Sequence, residues 1–403
     1  MSRKDTFIID SVRTAIGNFG GSLSTIRTDD LAAHVIKSLI NRYDFDFGAI
    51  DDVIIGCANQ AGEDNRNIAR MASLLAGLPY TVPGETINRL CASGMSAVIH
   101  AHRSIQAGDG DLFISGGVEH MTRGPWIISK TSKSFGRDAE MYDSSFGWRF
   151  INPMLDEVYG TDSMGQTAEN LAEKYDINRL DQDAFAYRSQ KKAYAAQTNG
   201  RFKKEIVAVN IPQHKSDSIL FDADEFIKPK TTTEVLATLN PAFKKDGTVT
   251  AGNSSGINDG AIAMLIATEN GVNNYGLKPI ARIVASAVVG VEPCIMGIGP
   301  VQATNNVLKK AGLKMQDIDI IELNEAFAAQ SLACIRQWRM EENDPRLNPN
   351  GGSIALGHPL GMSGTRIIQT AAVELKKQGK KYALATMCVG VGQGYAVIIE
   401  NIN

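Results

Sequence analysis

The 403-residue sequence contains no long apolar run, few cysteines and almost no net charge. No stretch approaches the roughly 20 apolar residues that cross a bilayer. The first residues, "MSRKDTFIID", contain no signal-like apolar core, and the last, "IIENIN", no retention or peroxisomal tag, so a cytosolic location with no membrane partner is expected. A net charge of −3, from 41 basic and 44 acidic side chains, argues against a nucleic-acid-binding surface. Cys57, Cys91, Cys294, Cys334 and Cys388 are odd in number, dispersed and free of any C-x-x-C pairing. Neither a disulfide framework nor a metal site is expected from them. Glycine, by contrast, is abundant, with 38 residues grouped in clusters such as "NPNGGS", "GHPLGMSG" and "CVGVGQG". Such clusters mark tight turns and places where backbone approaches a ligand.

The chain repeats itself. "AIDDVIIG" at 49–56 has the rhythm of "DIDIIELNEAF" at 317–327. More sharply, Cys91 and His358 each stand three residues before an identical Gly-Met-Ser, which opens a stretch of helical periodicity followed by a β-like apolar run. The two residues therefore occupy one position in two related strand-turn-helix-strand units. Three segments follow from this: an N-terminal half made of 1–119 and 247–271, an insertion over 120–246, and a C-terminal half over 278–403. Within the insertion "SMGQTAENLAEKYDI" and "RLDQDAFAYRSQKKAYAAQ" read as helices, and "GWRFINPMLDEVYG" as ordered loop. "GTVTAGNSSGINDGAIAMLIAT" reads as a polar turn leading into a buried strand.

Cys91 sits at a strand-to-helix turn, where backbone N–H groups and the helix dipole favour an anion, so its thiol is expected to fall below the ordinary value of about 8.5. Buried cysteines also serve as small hydrophobes, and a histidine in a glycine-rich turn can simply bond a carbonyl. The repeat weighs against both alternatives. A pseudo-two-fold arrangement would bring the equivalent turns together and set a thiol beside an imidazole, which is an activated nucleophile. Cys388 lies among residues of minimal bulk in "CVGVGQG", as though a substrate passes close by. Asn324, in "ELNEAFAAQ", reads either as a helix N-cap or as a group that orients a water or an oxyanion. Cys57, Cys294 and Cys334, with His34, His100, His102 and His214, read as structural.

Taken together, "NRLCASG", "NEAFA", "GGSIALGHPLGMSG", "CVGVGQG" and "TAGNSSGINDG" resemble the thiolase family over essentially the whole chain. The resemblance implies an α/β fold of two βαβαβαββ halves in a five-layer α/β/α/β/α core with an inserted loop domain, usually in a dimer or tetramer. It implies that Cys91 attacks the ketone of a 3-oxoacyl-CoA after His358 removes its proton, and that Cys388 protonates the departing acetyl-CoA enolate. The enolate oxygen would be held by His358 and a water on Asn324, and the tetrahedral oxyanion by the N–H groups of Cys91 and Gly390. Coenzyme A is then a co-substrate and no resident cofactor is needed. Ser255 matches a serine that binds the pantetheine arm; Ala251, Phe243, Met164 and Phe327 match residues lining that channel. Ser163 departs from the histidine of acetoacetyl-CoA-specific members, Val391 interrupts the usual glycine run, and His120 replaces a commoner serine.

Within the family, "GCANQAGEDNRNIARMA", "FGWRFINPM" and "TMCVGVGQG" are similar to the branch acting on 3-oxoadipyl-CoA in aromatic-compound degradation. A general or acetoacetyl-CoA substrate is the alternative. Ketoacyl synthases pair their cysteine with two histidines, whereas Asn324 fills one of those places here. A catalytically silent lipid carrier would lack a reactive residue. A 3-oxoadipyl chain ends in a carboxylate, which costs several kcal/mol to bury unpaired. Arg149, between Trp148 and Phe150, could grip it in two-pronged fashion, or could merely tie the loop domain to a neighbouring subunit. Arg66 and Arg70 are reserves.

Overall fold

The structure is a computed structural model describing residues 4–213 and 217–402; His214 lies outside the described residues. The first half supplies strands β1 (Phe7–Arg13), β2 (Gly17–Asn18), β3 (Asp52–Gly56), β4 (Gly84–Ile87) and β5 (Leu112–His120). The insertion adds two short hairpins, β6 (Trp126–Ile128) with β7 (Met141–Asp143) and β8 (Val209–Ile211) with β9 (Ile219–Phe221). β10 (Asn258–Ala267) returns to the first half, and β11 (Ala281–Gly290), β12 (Ile320–Leu323), β13 (Tyr382–Val389) and β14 (Gln393–Asn401) form the second.

Strand order reads β4-β3-β5-β10-β1 in one half and β12-β13-β14-β11 in the other. Leu347, bridged in parallel to Ile321, stands where a fifth strand would continue the second series. The halves join at their first strands through two residue pairs, Phe7 with Arg282 and Ile8 with Ala281. Even the irregularities are duplicated. β1 slips register against β10 between Ile8 and Asp10, and β11 slips against β14 between Ile283 and Ala285. β5 and β10 are buried along their whole length. That accounts for continuous apolar runs such as "AIAMLIA" where a one-sided strand would alternate.

Two helices lie between the half-sheets, Ser93–Ala107 and Leu360–Gln378, with Met95, Val98, Ile99, Ile367, Ile368 and Leu375 packed against residues of both sheets. Helices Thr28–Ile40 and Ile68–Leu75 cover the outer face of the first sheet. Gly299–Ala311 and Ala328–Gln337 cover that of the second, which completes the five layers. The repeated Gly-Met-Ser segments meet where the central helices begin. A Cβ on Gly94 would lie 2.3 Å from the carbonyl oxygen of Gly361, so the close approach requires glycine there. That contact sets the turns bearing Cys91 and His358 side by side.

In the insertion the two expected helices are Met164–Lys174 and Arg179–Thr198. The segment expected to be loop contains a further helix, Pro153–Tyr159. Asn152 caps it by accepting from the N–H of Met154, and Pro153 takes the first position, where its missing N–H costs nothing. Met154, Val158 and Tyr159 remain exposed, so no apolar stripe advertised it. Among the described residues no helix is long and apolar enough to cross a membrane.

Candidate active site

Cys91 follows β4 and precedes the first central helix. Its turn is fixed by Leu90 N–H donating to Asn88 Oδ1 at 2.9 Å and by the Ser93 hydroxyl, which accepts from Arg89 N–H and donates to Leu90 O. The backbone N–H groups of Gly390 and of Cys91 itself point at the sulfur and stabilise its thiolate. The thiol is nevertheless not depressed. Burial pushes it up to about 11, because desolvation outweighs the two N–H groups. The expectation of a thiol lowered below its ordinary value is thereby corrected, and Cys91 needs a base.

His358 has the form of that base. Its backbone N–H donates to Asn258 Oδ1 at 3.0 Å, which fixes the turn. Its Nδ1 lies 2.7 Å from Ser363 Oγ, and the Ser363 hydroxyl donates its only proton to Pro359 O at 2.8 Å. Ser363 can therefore only accept from the ring, so Nδ1 carries the proton and Nε2 keeps its lone pair. Nε2 is buried without a hydrogen-bond partner among the described residues. Burial, then the charge of Arg366, lower the imidazole to about 3, so it is neutral and able to accept a proton at ordinary pH.

Cys388 lies near the end of β13 opposite Gly394, which offers no side chain. It is buried and its thiol is pushed well up by burial, then by the neighbouring sulfurs of Cys91 and Cys334, which places three thiols together. Cys334 itself donates to Gly297 O at 3.3 Å. A Cβ on Gly390 would lie 3.3 Å from Leu90 Cδ1 and 3.6 Å from Met164 Sδ, bringing the insertion to the cysteine pair. Asn324 extends β12, its N–H donating to Thr386 O at 3.0 Å. It does not cap the following helix, whose N-cap is Phe327. Its Oδ1 accepts from Ser353 Oγ at 2.6 Å, and its Nδ2 is buried without a partner among the described residues.

An apolar strip leads away from Gly390. Met164 and Phe243 are partly exposed, Phe243 packs edge-on against Phe327 at 6.2 Å, and Phe327 bridges Ser254. Ser255 N–H donates to Ala326 O at 2.9 Å, and Ala251 is exposed nearby in sequence. Arg149 donates from Nη1 to Ser144 O, while Trp148 Nε1 donates to Asp162 O at 3.1 Å, two residues before Met164. Of the reserves, Arg70 is committed to the carbonyls of Val82 and Tyr80 at 2.5 and 2.9 Å, whereas Arg66 lies in a turn where its N–H donates to Asp64. Ser163 caps helix Met164–Lys174. His120 lies 3.1 Å from Leu23 O and 3.3 Å from Asp259 Oδ1, away from the cysteines in its bonding. His100 pairs with Glu85 at 3.4 Å and His102 with Thr6 at 2.8 Å.

Sequence reasoning passed over Glu119, a buried carboxylate that accepts the N–H groups of Ala58, Asn59 and Gly361 and so ties the His358 turn to the first half. Ser363 was visible in the repeated Gly-Met-Ser, but its tie to the imidazole was not.

A thiol under two backbone N–H groups, a second buried thiol beside it and a neutral imidazole on the matching turn of the other half are groups that acyl transfer can use. The thiolase N-terminal domain family model matches residues 6–270 and the C-terminal domain model residues 277–401. The chain is 54% identical over 400 residues to 3-oxoadipyl-CoA/3-oxo-5,6-dehydrosuberyl-CoA thiolase of Escherichia coli (strain K12), covering 99% of this chain and 100% of that one. It is also 54% identical over 403 residues to beta-ketoadipyl-CoA thiolase of Pseudomonas aeruginosa, covering both chains completely. Among solved structures it matches human mitochondrial 3-ketoacyl-CoA thiolase in complex with CoA, with a TM-score of 0.92, 38% identity, and coverage of 99% of this chain and 98% of that one. The chain belongs to the thiolase family and is an acyltransferase.

Proposed function

We propose that this thiolase cleaves 3-oxoadipyl-CoA with coenzyme A to succinyl-CoA and acetyl-CoA. The observation that carries the chemistry is the convergence of Gly390 N–H and Cys388 on the sulfur of Cys91; full-length relatives with 54% identity support the substrate. His358 Nε2 takes the Cys91 proton and the thiolate attacks the 3-oxo carbon. The resulting oxyanion lies against the N–H groups of Cys91 and Gly390, a type of donor worth about 10²–10³ in rate each. Collapse breaks the C2–C3 bond. The acetyl-CoA enolate leaves, its oxygen held by His358 and an Asn324-bound water, and Cys388 delivers the proton to carbon. Cys388, now a thiolate, deprotonates incoming CoA, whose sulfur takes the succinyl group from Cys91.

CoA runs along the strip of Met164, Phe243, Ala251, Ser255 and Phe327, and Arg149 receives the distal carboxylate with the guanidinium N–H groups left over from Ser144. In this reading residues 1–119 with 247–271, 120–246 and 278–403 are the working units of a cytoplasmic dimer or tetramer. The exposed Trp126, Ile128 and Met141 of the β6–β7 hairpin suit a subunit contact. A panel of 3-oxoacyl-CoAs tests the substrate: kcat/KM should be highest for the dicarboxylic 3-oxoadipyl thioester. Equal or greater efficiency on acetoacetyl-CoA overturns it.

A further inference from the structure

We infer that Ser353 and Arg366 are positioning residues that decide which end of the Asn324 amide faces the enolate, an inference that rests on the thiolase reading above. All three side chains are essentially buried. Arginine has donors only. Arg366 Nη2 lies 3.5 Å from Ser353 Oγ and occupies an acceptor position there. The Ser353 proton is directed to Asn324 Oδ1, 2.6 Å away. With its oxygen engaged, Asn324 keeps the NH₂ end for other work, and that Nδ2 is the atom without a partner among the described residues. A chain of donors thus runs in one direction, from guanidinium to hydroxyl to amide.

The direction matters chemically. An amide turned the other way would present its carbonyl oxygen to a water or to the enolate itself, repelling the charge that forms when the C2–C3 bond breaks. Competitors for the arginine are few. Its Nε and Nη1 have no hydrogen-bond partner among the described residues, and Glu322 Oε2 is 4.0 Å from Nη1. Glu322 and Asn324 lie two residues apart, so both project from the same face of the extended β12 segment toward the helix that bears Arg366. Nothing in this relay touches the reacting atoms; it acts through Asn324.

Two exchange reactions of acetyl-CoA separate this role from a general structural one. In deuterium oxide, once acetyl transfer to Cys91 has left Cys388 as a thiolate, that thiolate removes a methyl proton from a second acetyl-CoA, the C–H pair becomes the enolate, and a deuteron returns to carbon. In exchange with labelled CoA, the Cys91 sulfur, its proton taken by His358, bonds to the acetyl carbon, the C–S bond to CoA breaks, and the leaving thiolate takes its proton from Cys388; reversal with labelled CoA completes the cycle. Only the first needs the enolate site. Ser353→Ala should slow deuterium exchange about tenfold, the worth of one well-made hydrogen bond, while labelled-CoA exchange stays within about twofold. In an Asn324→Ala background, Ser353→Ala should cause no further loss. Parallel loss of both exchanges, unchanged deuterium exchange, or an added loss in the Asn324→Ala background would overturn the relay. A wild-type enzyme showing neither exchange would instead overturn the thiolase chemistry, and the relay with it.

Discussion

Leu90 and Val391 hold left-handed backbone on either side of one sulfur. Leu90, φ 46°, immediately precedes Cys91, and Val391, φ 61°, immediately follows Gly390, whose N–H points at the Cys91 sulfur. Left-handed geometry is costly for side chains of this bulk, and most of all for a β-branched one. Strain is therefore stored in both stretches of chain that present N–H groups to the Cys91 sulfur. Val391, which at the sequence level was only an interruption in a glycine run, acquires a physical meaning here.

Val391→Gly should relieve that strain. Val391 is 39% exposed, so little packing is lost, and the variant should be more stable by about 1 kcal/mol after the added freedom of its unfolded chain is counted. Turnover should fall several-fold as the Gly390 N–H loses its fixed direction. Urea denaturation and steady-state kinetics measure the two; a destabilised variant would show that Val391 is not strained.

The two thiols should separate under mutation. Cys388→Ser leaves Cys91 with its base and its N–H groups, so acyl transfer onto Cys91 continues slowly while turnover is lost. Cys91→Ala should trap no acyl group. Intact mass after incubation with acyl-CoA decides it, and equal trapping by both variants would refute the division of labour.

Glu119 predicts a pH dependence of stability. Burial raises its carboxyl from 4.5 to about 7, against the lowering effect of three backbone N–H groups. Since the folded form binds the proton more tightly than the unfolded form, its contribution makes the protein less stable as pH rises from about 4.5 to about 7. Glu119→Gln lacks this term. Across that window wild type should lose stability relative to the variant by on the order of 2 kcal/mol, as read from urea midpoints. A constant difference between the two would show that Glu119 does not titrate there.

Arg149→Met should lower kcat/KM for 3-oxoadipyl-CoA by about 10²-fold, the effect of leaving a carboxylate without its cation, and spare acetoacetyl-CoA. Equal loss on both substrates would make Arg149 a structural tie of the loop to Ser144.

The legible parts of this protein were those written twice. Identical Gly-Met-Ser triplets betrayed the duplication, and with it the shared position of Cys91 and His358, because two glycine-bearing helices must cross closely at the centre. The continuous apolar run that closes "GTVTAGNSSGINDGAIAMLIAT" announced the buried strand β10. What depends on contacts between distant segments was not legible. The desolvation that raises the Cys91 thiol, the commitment of Arg70 to two carbonyls, and the roles of Ser353, Ser363 and Glu119 all arise from neighbours that meet only in the folded chain. The Pro153–Tyr159 helix escaped for a local reason: it is held by an Asn-Pro start and buries nothing.

The most direct test is mass mapping of the enzyme mixed with 3-oxoadipyl-CoA in the absence of CoA. One succinyl group is expected in thioester linkage on the peptide carrying Cys91, with acetyl-CoA released, and that adduct should disappear when CoA is added. A succinyl group on Cys388, or no covalent adduct while acetyl-CoA is still released, would contradict the Cys91 acyl-enzyme.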